Sequence, residues 1–227
     1  LSLGVFFASI AKSADTWLVD RREDEVGTDL SFEPRDVLFS DPTAPASTNV
    51  TEIQALRLPL SDYEQLEGVH QATQVGEYQA AVSLGKPMAR IRLLAIDRTS
   101  FPSVAYFRSD YAQQTLGELM NRLASQQDGV LIPVHMAEQL SLGEGDELPI
   151  SIILDGNNSY PFTFHIVGTF DYFPTMFEDK AFVVVANLDY LENQTGGLLP
   201  YGIWLRLDSG ADGKRVLQDV QHLGVIP

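Results

Sequence analysis

Histidine is the side chain that most often binds metals or transfers protons near neutral pH, and this chain contains four. They are His70, His135, His165 and His222. None belongs to an HExxH motif or to another paired spacing that places two ligands on one helix face. His165 alternates with apolar residues in FTFHIV, which is typical of a strand whose histidine packs or lies at an edge. The sequence therefore predicts no metal site.

Nucleophilic catalysis has equally little support. The chain has no cysteine, which excludes a thiol nucleophile, thiolate metal ligands and disulfides. It also lacks the GxSxG elbow that presents a serine in many hydrolases. A Ser-His-Asp group assembled from distant segments stays open, because such groups are recognised by geometry and not by spacing.

Three glycine-containing stretches resemble ligand loops only in part. A Gly-Lys pair ends at Lys86 but lacks the remaining glycine and the Ser/Thr of a phosphate-binding loop. Gly143 to Asp146 lacks the third glycine of a dinucleotide fingerprint and carries acidic side chains. Asp155 to Ser159 begins like a calcium loop, but Tyr160 and Ile166 stand where glycine and glutamate are needed. We expect turns at all three places and predict no cofactor.

The formal net charge is −16, from 15 Lys and Arg against 31 Asp and Glu. Such a charge argues against nucleic acid as a partner, because phosphate contacts need clustered cations. It also argues against broad adhesion to an anionic membrane surface. The acidic excess is typical of an exposed, soluble domain.

Two aromatic groups remain as candidates for binding. The first comprises Phe101, Tyr106, Phe107 and Tyr111, and the second comprises Phe170, Tyr172, Phe173, Phe177 and Phe182. Aromatic side chains are usually core. Yet Asp171 to Phe177 follows a strand pattern and contains Pro174, so it reads as a loop. Loop aromatics that are exposed would form a patch for an apolar ligand or a protein partner, and both interpretations stay open.

The elements that must position these residues are mostly strands. Periodicity and turn residues predict strands over Val26 to Phe32, Ala72 to Leu84, Ala89 to Ile96, Val130 to Ile132, Leu148 to Leu154, Tyr160 to Phe170, Phe182 to Val185 and Tyr201 to Leu207. Helices are predicted over Ser61 to Leu66 with Ser61 and Glu64 as a capping box, Asp110 to Gln126, Val134 to Leu140 and Asp212 to Leu223, with a short helix or loop over Tyr190 to Gly197. The order is not the β-α-β alternation of a doubly wound sheet, and it predicts an α+β fold.

The first residues, Leu1 to Ala11, are almost wholly apolar. As a helix they would rise about 16 Å, short of the ~30 Å hydrocarbon core of a bilayer. A buried helix explains the run, and so does the outer end of a truncated membrane helix. The second interpretation fits the adjoining residues, because apolar side chains thin out through Trp17 to Val19 and charged residues begin at Asp20. The abrupt end at Val225 to Pro227 also suggests an excised piece.

Three stretches carry a family resemblance: Ala8 to Asp29; Asp128 to Tyr172; and Phe182 to Gly197 followed by Tyr201 to Leu207. The second contains an apolar strand, a short helix, Gly145-Asp146 before the next strand, and a strand with Val167-Gly168. In this order the stretches resemble the extracytoplasmic domain of FtsX-like (MacB-type) permeases of ABC transporters. The first resembles the end of a membrane helix, its stalk and the first external strand.

The resemblance implies a two-lobed α+β domain. Residues 1–25 would be a truncated membrane or stalk helix. Residues 26–100 and 200–227 would form a porter-like mixed α/β lobe, and residues 101–199 an inserted, small, mostly-β lobe.

The resemblance also implies a non-catalytic function at the extracytoplasmic face of a bacterial cell membrane. The domain would couple ATP-driven motion of stalk helices to extrusion of a substrate or to control of an extracytoplasmic partner. Its partners would be a cytoplasmic ATPase subunit, a second permease copy, and an extracytoplasmic protein or lipid-like substrate. Trp17, Leu18 and Val19 would pack the stalk onto the domain. Substrate or partner contacts would come from Tyr172, Phe173, Met176 and Phe177.

Two other functions stay open. A secreted or cell-surface module would recognise a glycan or protein through its aromatic loops and would stand behind a signal peptide. A hydrolase with dispersed catalytic groups would show a deep pocket with perturbed titrating residues.

Overall fold

The computed structural model describes residues 27–34, 58–82, 89–153, 159–176, 182–196 and 199–225. Its strands, in chain order, are β1 (Leu30–Phe32), β2 (Val69–Val82), β3 (Ala89–Ile96), β4 (Gly129–Pro133), β5 (Glu147–Ile153), β6 (Ser159–Phe170), β7 (Phe182–Asn187) and β8 (Gly202–Leu207). The helices are α1 (Leu60–Glu64), α2 (Phe101–Val104), α3 (Leu116–Ser125), α4 (Val134–Leu140), α5 (Leu188–Thr195) and α6 (Gly213–His222). None of the helices among the described residues has both the length and the apolar character needed to cross a membrane.

The sheet closes on itself through its longest strand, β2. Its strands follow the order β1-β8-β2-β3-β7-β4-β6-β5, and β5 pairs back onto β2. Along one edge of β2, residues 69–75 pair with β8 and residues 79–82 pair with β5, while β3 occupies the other edge. A closed barrel is therefore formed by six strands, in the order β2, β3, β7, β4, β6 and β5. Strands β8 and β1 extend the sheet from the side of β2. Two of the pairings, β3–β7 and β4–β6, are parallel and the rest are antiparallel.

The barrel is filled by alternate side chains of all six strands, as the two-residue period of a strand requires. Its interior cluster contains, among others, Tyr78, Ala80, Val82, Ile91, Leu93, Ala95, Val130, Ile132, Leu148, Ile150, Ile152, Phe162, Phe164, Ile166, Val184 and Ala186. Helices α4 and α5 add Met136, Leu188 and Leu191 to this cluster. One backbone position is set by this packing: a Cβ at Gly76 would lie 2.2 Å from the hydroxyl oxygen of Tyr78, so only glycine fits.

The outer faces of β3, β4 and β7 are also buried, which explains why these strands are continuously apolar. Their outward side chains, including Leu94, Leu131 and Val185, form a second cluster with α2, α3 and the loop after β6. A third cluster joins β8 and the start of β2 to α1 and α6 through Tyr63, Ile203, Leu205, Val216 and Val220.

The structure confirms the mixed α/β class and most of the predicted elements. The division at residues 101 and 199 stays a prediction, and strand pairing crosses it, because β2 and β3 pair with β5 and β7. The capping box at Ser61 is wrong: the helix begins after Pro59 with no side-chain cap, and Glu64 accepts a hydrogen bond from the backbone N–H of Ala72 instead.

Two other predicted elements are shorter than expected. The helix predicted from Asp110 begins at Leu116, because Thr115 is extended and forms a capping box with Glu118. The strand predicted from Val26 is regular only over Leu30–Phe32. The apolar N-terminus, the turn before Lys86 and the turn at residues 155–158 lie outside the described residues.

Candidate partner-contact site

The loop that follows β6, residues 171–176, is held by its backbone. The N–H groups of Asp171 and Tyr172 both donate to the carbonyl oxygen of Tyr111, at 2.8 and 2.9 Å. The N–H of Met176 donates to the carbonyl oxygen of Phe173 at 3.0 Å, which closes the loop on itself. We call these six residues the contact loop.

A buried arginine anchors the far end of the contact loop. Nη1 of Arg92 donates to the carbonyl oxygen of Thr175 at 2.8 Å, and Nη2 donates to its hydroxyl at 3.1 Å. Thr175 has a φ of 66°, a left-handed conformation that costs a threonine on the order of 1 kcal/mol or more. Arg92 is only 8% exposed, and the carboxylate of Glu77 lies 2.7 Å from its Nη2. The buried guanidinium is thus neutralised while it holds the loop in shape.

Phe173 points from the contact loop into the second core cluster and is 2% exposed. Its ring lies 5.7 Å from that of Phe101, 5.8 Å from Phe107 and 5.1 Å from Phe170, all between centroids. The two aromatic groups seen in the sequence therefore form one cluster, and the core interpretation is confirmed for Phe101, Phe170 and Phe173. Because Phe173 is buried, its side chain packs beneath the loop. The predicted contact with a partner is therefore assigned to Tyr172 and Met176, which are more exposed.

Tyr172 is the large side chain that the contact loop presents to solvent. It is 46% exposed, and its ring lies 6.2 Å from that of Tyr111. Met176 is partly buried against the same cluster. Phe177, the fourth predicted contact residue, lies outside the described residues.

A groove of about 380 Å³ runs beside the aromatic cluster. It is lined by Pro102 and by eight residues between positions 105 and 116. Four of these lining residues, Ala105, Phe107, Ala112 and Leu116, also belong to or pack against the second core cluster. The groove therefore has a fixed apolar floor.

The segment that leads into β1, residues 27–29, is fixed by hydrogen bonds to β8 and to Tyr106, and we call it the entry segment. The hydroxyl of Thr28 donates to the carbonyl oxygen of Leu205 at 2.8 Å. The carboxylate of Asp29 accepts from the N–H of Leu207 at 2.8 Å and from the hydroxyl of Tyr106 at 2.5 Å. The guanidinium of Arg206 lies 4.2 Å from the centroid of the Tyr106 ring, a cation–π contact.

Gly27 brings this entry segment against the contact loop. Its φ is +74°, and an added Cβ would lie 2.9 Å from Cβ of Pro174 and 2.9 Å from the ring of Trp204. Both the backbone angle and the space thus require glycine. The carbonyl oxygen of Gly27 accepts a hydrogen bond of 2.9 Å from the N–H of Tyr106. The entry segment therefore touches the contact loop directly and also reaches the segment that lines the groove.

Two of the histidines, His165 and His70, lie beside carboxylates. Nδ1 of His165 lies 2.9 Å from a carboxylate oxygen of Asp128, and its Nε2 faces Glu147 at 4.0 Å. The nitrogen that a nucleophilic serine would need thus faces a second carboxylate. His70 pairs with Asp208 at 3.4 Å. Within the described ranges, no group of three or more His, Asp or Glu is arranged to hold a metal ion.

No protein-family model matches the sequence, and no curated protein does. Solved structures do match. The extracellular domain of the noncanonic ABC-type transporter YknZ from Gram-positive bacteria is similar at 16% identity and a TM-score of 0.46, over 86% of this chain and 94% of that one. The periplasmic region of MacB from Actinobacillus actinomycetemcomitans is similar at 9% identity and a TM-score of 0.47, over 89% and 84%. Both of these solved structures are external domains of transporters.

Sequence reasoning placed the contact loop but missed what holds it. Arg92 carries a readable signal, since it is a charge inside the apolar run IRLLAI of β3. Gly27 and Asp29 carry none, because their roles depend on Pro174, Trp204 and Tyr106, which are distant in the sequence. The predicted stalk residues Trp17, Leu18 and Val19 lie outside the described residues.

Proposed function

We propose that this chain is the extracytoplasmic domain of an ABC transporter permease in a bacterial cell membrane. It is non-catalytic and couples motion of the preceding stalk to a contact with a substrate or partner. The proposal is supported by the ordered resemblance of residues 8–29, 128–172, 182–197 and 201–207 to such domains. The observation that carries the coupling is the packing of Gly27 against Pro174 of the contact loop.

Two routes connect the entry segment to Tyr172. The direct route runs from Gly27 through Pro174 of the contact loop. The second runs from the carbonyl oxygen of Gly27 to the N–H of Tyr106, along the chain to Tyr111, and from its carbonyl oxygen to the N–H of Tyr172. A displacement of the entry segment would therefore move the contact loop together with the segment from Tyr106 to Tyr111.

Strand β8 ties the first and last described elements together. β1 pairs with it at Leu30↔Leu205 and Phe32↔Ile203. Helix α6 packs Val216 and Val220 into the cluster that contains these two β8 residues. Stalks attached to β1 and α6 would then act on the same strand, which is the arrangement that mechanical coupling needs.

The partners of the chain would act at its two ends and at the contact loop. A cytoplasmic ATPase subunit would drive the stalks through the membrane part, and a second permease copy would complete a dimer. Trp17, Leu18 and Val19 would pack the stalk onto the domain. Tyr172 and Met176 would contact an extracytoplasmic protein or a lipid-like substrate.

A second candidate is a secreted or cell-surface module that binds a glycan or protein. It is favoured by one observation, the 46% exposure of Tyr172 on a loop that is rigidly anchored from beneath. Exposed tyrosines on fixed loops are common anchors in binding sites.

The coding sequence on both sides of this chain separates the two candidates. The permease proposal expects an apolar span that completes the run at Leu1, further membrane spans after Pro227, and an ATPase gene nearby. A cleavable signal peptide directly before Leu1 and a stop codon soon after Pro227 would overturn it in favour of the binding module.

A further inference from the structure

The groove beside the aromatic cluster has the chemistry of a peptide site. We propose that it binds an apolar side chain of a polypeptide partner whose neighbouring residues are lysine or arginine. The inference rests on the proposed function, because it names the kind of partner that the permease domain would contact.

The floor of the groove is built to receive an apolar anchor. Phe107 forms it, and its ring meets Tyr111 edge-on at 5.4 Å and Phe173 at 5.8 Å between centroids. Ala105 and Ala112, which are buried, also line the groove with small apolar side chains. Rigid, well-packed pockets of this kind hold the anchor residues that dominate protein interfaces. A volume of about 380 Å³ accommodates one large side chain and part of its main chain.

The walls favour a polypeptide over a hydrocarbon chain. Four of the nine lining residues are neutral and polar: Ser109, Gln113, Gln114 and Thr115. The Thr115 hydroxyl is engaged in the capping box with Glu118, whereas the hydroxyl of Ser109 and the amides of Gln113 and Gln114 can exchange hydrogen bonds with a peptide main chain. An acyl chain would remove water from these polar groups without replacing the hydrogen bonds that the water makes.

The charge around the groove selects a cationic partner. No lining residue is charged, but carboxylates stand at two places next to the lining. Asp110 follows Ser109, and Glu118 accepts hydrogen bonds from the N–H and hydroxyl of Thr115 at 2.8 and 2.9 Å. Arg108 neutralises Asp110 at 2.7 Å, so Glu118 supplies the net negative charge beside the lining. The formal charge of −16 adds a long-range field of the same sign.

The test is fluorescence anisotropy of a labelled peptide, Gly-Lys-Leu-Phe-Lys-Gly, with the 227-residue chain. There are two control peptides. In the first, both lysines are replaced by glutamate, and in the second, Leu-Phe is replaced by Ser-Ser. We expect the lysine peptide to bind at least about tenfold more tightly than either control, and its affinity to fall with added salt. Equal binding of the glutamate peptide would overturn the proposal. Displacement of the lysine peptide by a fatty acid that binds more tightly would also overturn it and identify a lipid site.

A matched pair of variants locates the binding. Ser109→Tyr fills the groove from its wall, whereas Ser103→Tyr adds the same side chain at an exposed position outside the lining. We expect about a tenfold loss of peptide affinity for the first and none for the second. If Ser109→Tyr unfolds, Gln113→Trp replaces it, with Gln127→Trp as its control. Unchanged affinity in a folded groove variant would overturn the site.

The assay needs neither membrane nor ATPase, so its failure is distinguishable from failure of the proposed function. Peptide binding without flanking membrane spans would support the peptide site in the groove and overturn the permease proposal. Flanking membrane spans without peptide binding would support the permease proposal and overturn the peptide site.

Discussion

Nη1 of Arg92 donates a hydrogen bond of 2.8 Å to the carbonyl oxygen of Thr175. This bond joins the middle of barrel strand β3 to the end of the contact loop. The residue that it holds, Thr175, has a left-handed backbone conformation. Nη2 donates to the hydroxyl of the same residue, so the guanidinium holds Thr175 at two points. The contact loop is therefore shaped by the barrel before any partner arrives, which lowers the entropy that binding must lose.

Replacing Arg92 by methionine should destabilise the chain by about 2 kcal/mol, because it leaves the backbone of Thr175 without its donor and Glu77 without its cation. Urea denaturation followed by circular dichroism measures the change. Arg90→Met, at an exposed position of the same strand, is the control and should change stability by less than about 0.5 kcal/mol. Equal effects would show that Arg92 does not anchor the loop.

Gly27→Ala tests the contact between the entry segment and the contact loop. Gly196 has a similar positive φ, +70°, but an added Cβ there meets nothing within 4 Å. Gly196→Ala therefore reports the backbone cost alone. We expect Gly27→Ala to cost about 1–2 kcal/mol more than Gly196→Ala, because its methyl group meets Pro174 and Trp204 at 2.9 Å.

The functional counterpart tests the proposed permease in its full-length form, reconstituted with the ATPase that the proposal requires. Gly27→Ala should lower transport per ATP hydrolysed, while Gly196→Ala should leave this ratio unchanged. A ratio that is the same in both variants would argue against coupling through Pro174.

Tyr172→Ala removes the exposed ring of the contact loop. Since this side chain is 46% exposed, the unfolding free energy should change by less than about 0.5 kcal/mol, while partner-dependent activity of the full-length protein falls by about tenfold or more. Tyr160→Ala, at a tyrosine that is 41% exposed on β6, is the matched control. A similar loss in both variants would remove the specific role of the contact loop.

The sequence predicted the strands well because their apolar runs are local features. IRLLAI, GVLIP and FVVVAN each contain side chains for two buried layers, and each forms a strand. Barrel closure was not predictable, since the pairing of residues 79–82 with β5 joins segments that share no local pattern. The capping boxes show the same limit. Ser61 and Glu64 have the right spacing, but Glu64 instead accepts from the distant N–H of Ala72. Thr115 and Glu118 have the same spacing, and they do form the cap.

Alkaline pH should destabilise the chain through Tyr63. Burial, with smaller contributions from Tyr201 and Asp62, raises the pKa of Tyr63 to about 12. Between about pH 10 and pH 12 the unfolded chain loses this proton while the folded chain keeps it, so stability falls as pH rises through this window. The fall in urea midpoint from about pH 8 to about pH 11.5 should be smaller in Tyr63→Phe than in the parent chain. Tyr172→Phe, at an exposed tyrosine, should show the parental fall, and an unaltered fall in Tyr63→Phe would contradict the prediction.

The closure of the barrel on β2 also determines the order in which the strands can pair during folding. Residue 79 of β2 pairs with residue 153, and residue 72 of β2 pairs with residue 205, so the edge of β2 that faces away from β3 is satisfied only by strands distant in the sequence. An emerging chain would hold β2 and β3 as an unclosed hairpin until β5 is made, and the entry segment would wait for β8. High contact order of this kind slows folding towards the millisecond-to-second range. During that delay the open edge of β2 is the surface through which unfinished chains would associate.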